Sequence, residues 1–299
     1  MDLFIGFTRT QLATSGFERM TTKIDGEPFV WWQKGDADAP TLVLIHGVSD
    51  QAGTWFQVAS KLAETHRVLL VDLPGHGESG PATGPLKMSR VLGGLEIWLD
   101  ARWAEKKVTL IGNSMGAWLS ALVADRHPEW VEKTIWINGG PLRAEPQKLD
   151  GSDEPLDLLP KDREAARRLM SALRHPSSPP TPDPVLDDLV RRAMDGQVAR
   201  MLLDDESKRD LESFLLDEAR VAKLQPPVHV VWGEADRFMG RSYPDRLLKV
   251  LPSADLHLIP KCGHLPQAEC SAALLETLRP LLPAPDSAFP KPLEEPQQP

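Results

Sequence analysis

Short apolar runs separated by turn residues set the pattern of the first half of the chain. Thr41–Ile45, Arg67–Val71, 108–111 and 133–137 each read as a buried strand that stops at a glycine-bearing or polar turn. Between them lie segments with apolar positions three and four apart, namely 54–64, with Trp55, Val58 and Leu62, and a longer one over 86–103. These predict helices. Residues 21–24 and 28–33 flank Asp25-Gly26, a hairpin signal. Residues 1–20 predict a short helix or a loose arm. Alternation of this kind specifies a mostly parallel sheet with helices on both faces, so the fold class is α/β.

The alternation stops near Pro141. Residues 161–174, 184–195, 197–203 and 207–224 have amphipathic helical spacing, and the proline-rich stretch 175–184 divides them. We expect a helical cap at 141–224, inserted into a core of 1–140 and 225–283. Its apolar positions (Leu156, Leu158, Leu159, Leu169, Met170, Leu173, Met194, Met201 and Leu202) are expected to pack, and together could line an apolar pocket. Arg191 and Arg192 are expected on a solvated helix face, with a substrate carboxylate as the other option. The alternation resumes with a strand at 227–232, a helix at 243–251, the strand Asp255–Ile259 and a last helix at 267–282. Residues 284–299 are proline-rich and acidic without an apolar period, and predict a disordered tail.

Composition narrows the partners. The 299 residues carry a net charge of −9, which argues against nucleic acid or an anionic membrane surface. No apolar run is long enough to predict a membrane span, and the N-terminus lacks the basic start and apolar run of a signal peptide. Phe4, Ile5 and Phe7 are expected to pack onto the domain. Cys262 and Cys270 do not make a disulfide framework, so reduced thiols and a cytoplasmic setting are expected. No metal or organic cofactor is implied.

The candidate chemistry begins where the strand at 108 runs into Gly112-Asn113-Ser114-Met115-Gly116. A strand that turns at once into a helix here needs Gly112 and Gly116, because a Cβ at either place would collide with neighbouring chain. The product is one exposed hydroxyl, Ser114, above a helix N-terminus that favours a developing oxyanion. Such a hydroxyl needs a base, and the base needs a carboxylate. His66, His127 and His175 lie away from strand ends, and His229 and His257 fall inside strands. His46 and His76 sit in glycine-flanked loops at the correct edge, where either could be structural. His264 follows the last strand beside Gly263 and is the expected base. Asp236 follows the strand at 227–232 and is the expected acid, with Glu234 and Asp255 as rivals.

These pieces resemble the α/β-hydrolase superfamily. The matching residues are His46-Gly47, the run Asp72-Leu73-Pro74-Gly75-His76-Gly77-Glu78-Ser79, the Ser114 elbow, Trp232-Gly233-x-x-Asp236 and Gly263-His264, in that order. The resemblance implies an α/β-hydrolase fold, with Ser114 as nucleophile, His264 as base and then acid, and Asp236 as the orienting carboxylate. It also implies an oxyanion hole made by the backbone N–H groups of Met115 and Val48, with Gly47 as the rival of Val48. Asp72 is expected to shape the floor of the site, and Met115 and Trp118 to pack.

A serine at the elbow sets aside the haloalkane dehalogenases and epoxide hydrolases, which carry Asp there. The expected activity is hydrolysis of a carboxylic ester through an acyl-enzyme, with a small apolar ester or related carbonyl compound as substrate. The alternative within the fold is carbon–carbon bond hydrolysis, because Gly-Asn-Ser-Met-Gly, Asn138-Gly139-Gly140-Pro141 and Lys261-Cys262-Gly263-His264 resemble hydrolases of aromatic ring-cleavage products. Three departures weigh for the ester: Ala117 replaces a Gly, Leu265 replaces an aromatic, and Val48-Ser49-Asp50-Gln51 replaces a glycine-rich loop. A non-catalytic small-ligand receptor is the reading from another class, and an intact Ser-Asp-His set argues against it.

Overall fold

The computed structural model describes residues 2–103, 106–145 and 156–284, with side chains from residue 6 onward. Eight strands form one sheet: β1 (Glu18–Ile24), β2 (Glu27–Lys34), β3 (Thr41–Ile45), β4 (Arg67–Val71), β5 (Val108–Asn113), β6 (Val131–Ile137), β7 (Val228–Gly233) and β8 (Asp255–Ile259). Their order is β1-β2-β4-β3-β5-β6-β7-β8. β1 and β2 are an antiparallel hairpin, and β2 runs antiparallel to β4. From β4 to β8 every pairing is parallel. The hairpin turn is Asp25-Gly26, both at positive φ (50° and 81°), the conformation a two-residue hairpin loop requires.

Twelve helices accompany the sheet among the described residues. α1 (Asp2–Thr14) opens the chain, followed by α2 (Phe56–Leu62), α3 (Met88–Trp103) and α4 (Met115–Arg126). Between β6 and β7 come α5 (Arg163–Leu173), α6 (Asp183–Asp195), α7 (Gln197–Leu202), α8 (Asp205–Ser213) and α9 (Glu218–Val221). α10 (Ser242–Val250), α11 (Pro266–Glu269) and α12 (Ser271–Leu278) complete the chain.

Alternate strand residues feed opposite faces of the sheet, as a period of two demands. Val43, Ile45, Leu69 and Val71 pack with Trp98 of α3 and Leu122 of α4. Leu42, Leu44, Val68 and Leu70 pack with Leu12 of α1, Leu62 of α2 and Leu274 of α12. A strand buried on both faces must be apolar throughout, which is why these runs showed no alternation in sequence.

Of the two options for residues 1–20, residues 2–14 take the helix: Leu12 and Thr8 are fully buried, and Thr8 accepts a hydrogen bond from Gln51. Other expectations are corrected. Phe7 lies edge-on to Phe56 yet stays exposed, while the side chains of Phe4 and Ile5 lie outside the described residues. The helix expected over 207–224 is two, because Asp204 and Asp217 each cap a new N-terminus through the amides of Ser207 and Arg220. The last helix is likewise two, divided at Cys270, whose backbone (φ −141°, ψ 47°) is not helical. Cys262 and Cys270 are joined as a disulfide, which corrects the expectation of two unrelated thiols. Of the tail expected at 284–299, residues 285–299 lie outside the described residues.

The helices between β6 and β7 are stitched to the sheet's loops at two corners. The guanidinium of Arg200 in α7 donates to the carbonyls of Gly75, Pro81, Thr83 and Gly84. At the other corner Arg237 N donates to Ala172 O, and His264 N donates to Leu173 O at 2.7 Å. Among the apolar positions singled out in this segment, Leu169 and Met201 are buried, whereas Met194 is 77% exposed. Arg191 and Arg192 both pair with Asp188, the helical i,i+3 and i,i+4 contacts of a solvated face. No helix of the described residues is long and apolar enough to cross a membrane.

Candidate active site

Ser114 stands between β5 and α4 at φ 55°, ψ −116°, a conformation that side chains rarely adopt. Packing around the turn enforces it. A Cβ on Gly112 would lie 2.1 Å from the carbonyl oxygen of Gly116, and one on Gly116 would lie 2.1 Å from that of Ile45. The two glycines therefore let β5, the turn and β3 pass at contact distance. Ser114 N donates to Ile137 O, which ties the turn to the end of β6.

His264 and Asp236 meet beside this turn. Both are buried, and His264 Nδ1 lies 2.8 Å from Asp236 Oδ2. Because a carboxylate only accepts, Nδ1 carries the proton in this pair and Nε2 keeps its lone pair for a substrate or nucleophile. The Asp236 carboxylate takes three further donors: Asn138 Nδ2 at 2.6 Å, and the amides of Phe238 and Met239 at 2.8 and 3.0 Å. Four donors fix its plane, and hence the plane of the imidazole. The ring of Phe238 lies 4.7 Å from that of His264 and limits its swing. Neither Glu234 nor Asp255, the rival carboxylates, bonds to His264 among the described contacts.

Two asparagines that sequence reasoning noted only as parts of motifs do much of the positioning. Asn138, at φ 48°, donates to Asp236 and accepts from Gly233 N, so it fixes the loop that carries the acid. Asn113, one residue before Ser114, donates to Ile137 O and to His264 O at 3.0 Å. Gln267 Nε2 in turn donates to Asn113 Oδ1. The nucleophile's strand and the base's loop are thereby joined through one side-chain amide. The available signal was a polar residue at the end of an otherwise apolar strand, where burial demands partners.

The loop after β3 carries Val48, which is half-buried, and Ser49, which has φ 60°. It is held from below. Gln51 Oε1 accepts from Gly53 N, and Asp72 Oδ1 accepts from Ala52 N at 2.7 Å while Oδ2 accepts from Glu78 N. His46 Nδ1 donates to Gly47 O, and its Nε2 accepts from Leu73 N. Burial drives the His46 pKa down to about 3, with His76 adding to the effect, so the ring is a neutral strut and not a base. His76 is lowered to about 4, also chiefly by burial. The expectation that Asp72 shapes the floor of the site matches its contacts. Met115, at the start of α4, is buried, and Trp118 Nε1 donates to Phe214 O beyond α8.

The arrangement offers a serine hydroxyl, a buried imidazole with one free nitrogen, and main-chain donors at a helix start. Comparison with known proteins narrows what it does. The chain is 29% identical to the 2-hydroxy-6-oxononadienedioate/2-hydroxy-6-oxononatrienedioate hydrolase of Cupriavidus pinatubonensis, over 88% of this chain and 94% of that protein. Among solved structures, a bacterial membrane phospholipase A superposes with a TM-score of 0.74 at 24% identity, covering 93% of this chain and 91% of that one. The 2-hydroxy-6-oxo-6-phenylhexa-2,4-dienoate hydrolase of a Rhodococcus strain superposes with a TM-score of 0.66 at 24% identity, covering 88% and 99%. At these identities the structural likenesses establish the fold.

The sequence relatives overturn the expectation of a carboxylic ester hydrolase, because the compound in their name contains no ester. The three departures that favoured the ester now have places in the fold. Ala117 is buried in α4, Leu265 stands at the start of α11, and the 48–51 loop is held by Asp72 and Gln51 where glycines were expected. Residues 42–277 match the alpha/beta hydrolase family, and with the eight-stranded sheet and its loops in place the chain belongs to that family.

Proposed function

We propose that this chain hydrolyses a carbon–carbon bond in a vinylogous 1,5-diketone acid of the kind formed by opening an aromatic ring. Ser114 is the nucleophile, His264 the base and then the acid, Asp236 its orienting carboxylate, and the N–H groups of Val48 and Met115 receive the oxyanion. The observation that carries this reading is the buried Asp236–His264 pair at 2.8 Å, tied through Asn113 to the turn that holds Ser114 at φ 55°. Similarity over 88% of the chain to a hydrolase named for a 2-hydroxy-6-oxo diene diacid favours carbon–carbon cleavage. In such a molecule hydrolysis must break the bond between C5 and the 6-oxo carbon.

The chemistry follows from that carbonyl. Ketonisation moves the proton of the 2-hydroxyl to C5 and leaves a ketone at C2. Ser114 then adds to C6 as His264 takes its proton, and the tetrahedral oxyanion meets the two N–H groups. Collapse breaks C5–C6. The electron pair passes through the remaining double bond to the 2-oxygen, and the dienolate leaves with the proton held by His264. Water, activated by His264, then hydrolyses the acyl-serine, giving a 2-hydroxydienoate and a carboxylic acid. Residues 141–224 serve as a cap over a core of 1–140 and 225–283.

The test is turnover of a 2-hydroxy-6-oxo diene diacid, followed by loss of its dienol absorbance. We expect wild-type turnover and a fall of ~10⁴-fold or more in Ser114→Ala with unchanged circular dichroism. A wild-type protein that leaves the compound intact sinks the substrate class; full activity in Ser114→Ala sinks the nucleophile.

A further inference from the structure

At the opposite end of the sheet from Ser114, β7 and β8 place three metal-ligating side chains together. His229 pairs in register with Asp255, and His257 lies two residues further along β8. With a period of two, all three project from the same face. Their ligand atoms lie within 4.8 Å of one another. His229 Nδ1 and Asp255 Oδ2 are 3.5 Å apart, and the two imidazole rings are 6.1 Å apart.

A second observation is independent of this proximity. His257 Nε2 is shielded from solvent and makes no hydrogen bond, and the shielded His229 Nδ1 has only the Asp255 carboxylate, at 3.5 Å. Buried nitrogens of this kind are costly to leave unpaired, and most native ones have a partner. Asp255 closes the cluster from the solvent side, with its side chain 67% exposed. Lys133 on the neighbouring β6, the nearby cation, has its ammonium engaged by Leu281 O at 3.0 Å.

We propose that His229, His257 and Asp255 form a binding site for a single divalent transition-metal ion of the zinc class. Two imidazoles and one carboxylate suit a borderline ion, and water completes the shell. In a tetrahedral zinc shell with bonds of ~2.0–2.1 Å, neighbouring ligand atoms are roughly 3.3 Å apart. The His229–Asp255 spacing of 3.5 Å already approaches that value, and separations of up to 4.8 Å close with side-chain movement of roughly 1.5 Å. β8 is the edge strand of the sheet, so the ion would cross-link the edge to β7. The site lies at the amino ends of the strands and Ser114 at a carboxyl end, so its role is to hold the edge and not to act on substrate.

The experiment uses the full chain stripped with a chelator and titrated with zinc chloride alone. We expect one Zn²⁺ per chain by calorimetry and a rise of roughly 5 °C in the unfolding midpoint at a hundredfold excess over the dissociation constant. Asp255→Asn, exposed and tolerant of change, should weaken binding at least tenfold, and His257→Gln should abolish the midpoint shift. Hydrolytic activity should be unchanged in Asp255→Asn. Absence of zinc binding by the wild type overturns the proposal. So does equal binding by the wild type, Asp255→Asn and His257→Gln, since the ion would then sit elsewhere.

Discussion

Ser114 lies between two buried carboxylates that do different work. On one side Asp236 accepts from an imidazole, a side-chain amide and two backbone amides. On the other, Asp72 accepts from the backbone amides of Ala52 and Glu78, with the Arg9 guanidinium 3.8 Å away. Asp236 orients the imidazole proposed to move a proton. Asp72 holds main chain: the loop after β3, whose Val48 N–H is the proposed oxyanion donor. Burial raises the Asp72 pKa, and the two amides and Arg9 pull it back. Losing either carboxylate should therefore damage the reaction through a different step.

The largest effect is expected at Asp236. Asparagine there presents an amide to a site full of donors and removes the acceptor that fixes the His264 tautomer. We expect kcat to fall ~10⁴-fold with KM little changed, measured on the diene diacid. Asp72→Asn should be milder. One of its two amide partners then faces an NH₂ group, the loop after β3 loosens, and kcat falls about 10–100-fold at unchanged KM. Equal losses at both positions would erase the distinction between proton handling and loop support.

The last prediction concerns stability alone. The buried, neutral His76 resists protonation down to about pH 4, whereas in the unfolded chain it titrates near its ordinary 6.5. Between those values the unfolded state binds the extra proton, so lowering the pH costs stability. His76→Gln should remove that share, worth ~3 kcal/mol by pH 4, so the variant loses less stability than wild type as the pH falls from 7. Asp50, pushed up to about 6 chiefly by burial, acts with the opposite sign, so the difference between the two proteins is the quantity to measure. An identical acid limb in denaturant melts of both would show that His76 charges freely in the folded protein.

The pairing of Asp236 with His264 was legible because both are particular side chains at strand ends. His264 and Asp236 could be picked out by placing eight histidines and the acidic loops against the predicted strands. The oxyanion side was not, because its donors are backbone groups and its supports are scattered. Arg9 and Thr8 come from a segment that the pattern left as either a short helix or an arm, and Gln51 and Asp72 are held apart in sequence by β4. Asn138 shows the limit well. Its place after a strand was evident, but its bond to Asp236 depends on how β6 and β7 lie side by side. The ester expectation failed for a related reason. It rested on departures from a family pattern, and one of them, Ala117, is sealed in the core, where it says nothing of substrate.

The amide of His264 is donated to the last carbonyl of α5, and Arg200 grips four carbonyls at the far corner. Lifting α5 would break the bond at the backbone of His264, so any movement of this helix is coupled to the loop that carries the imidazole.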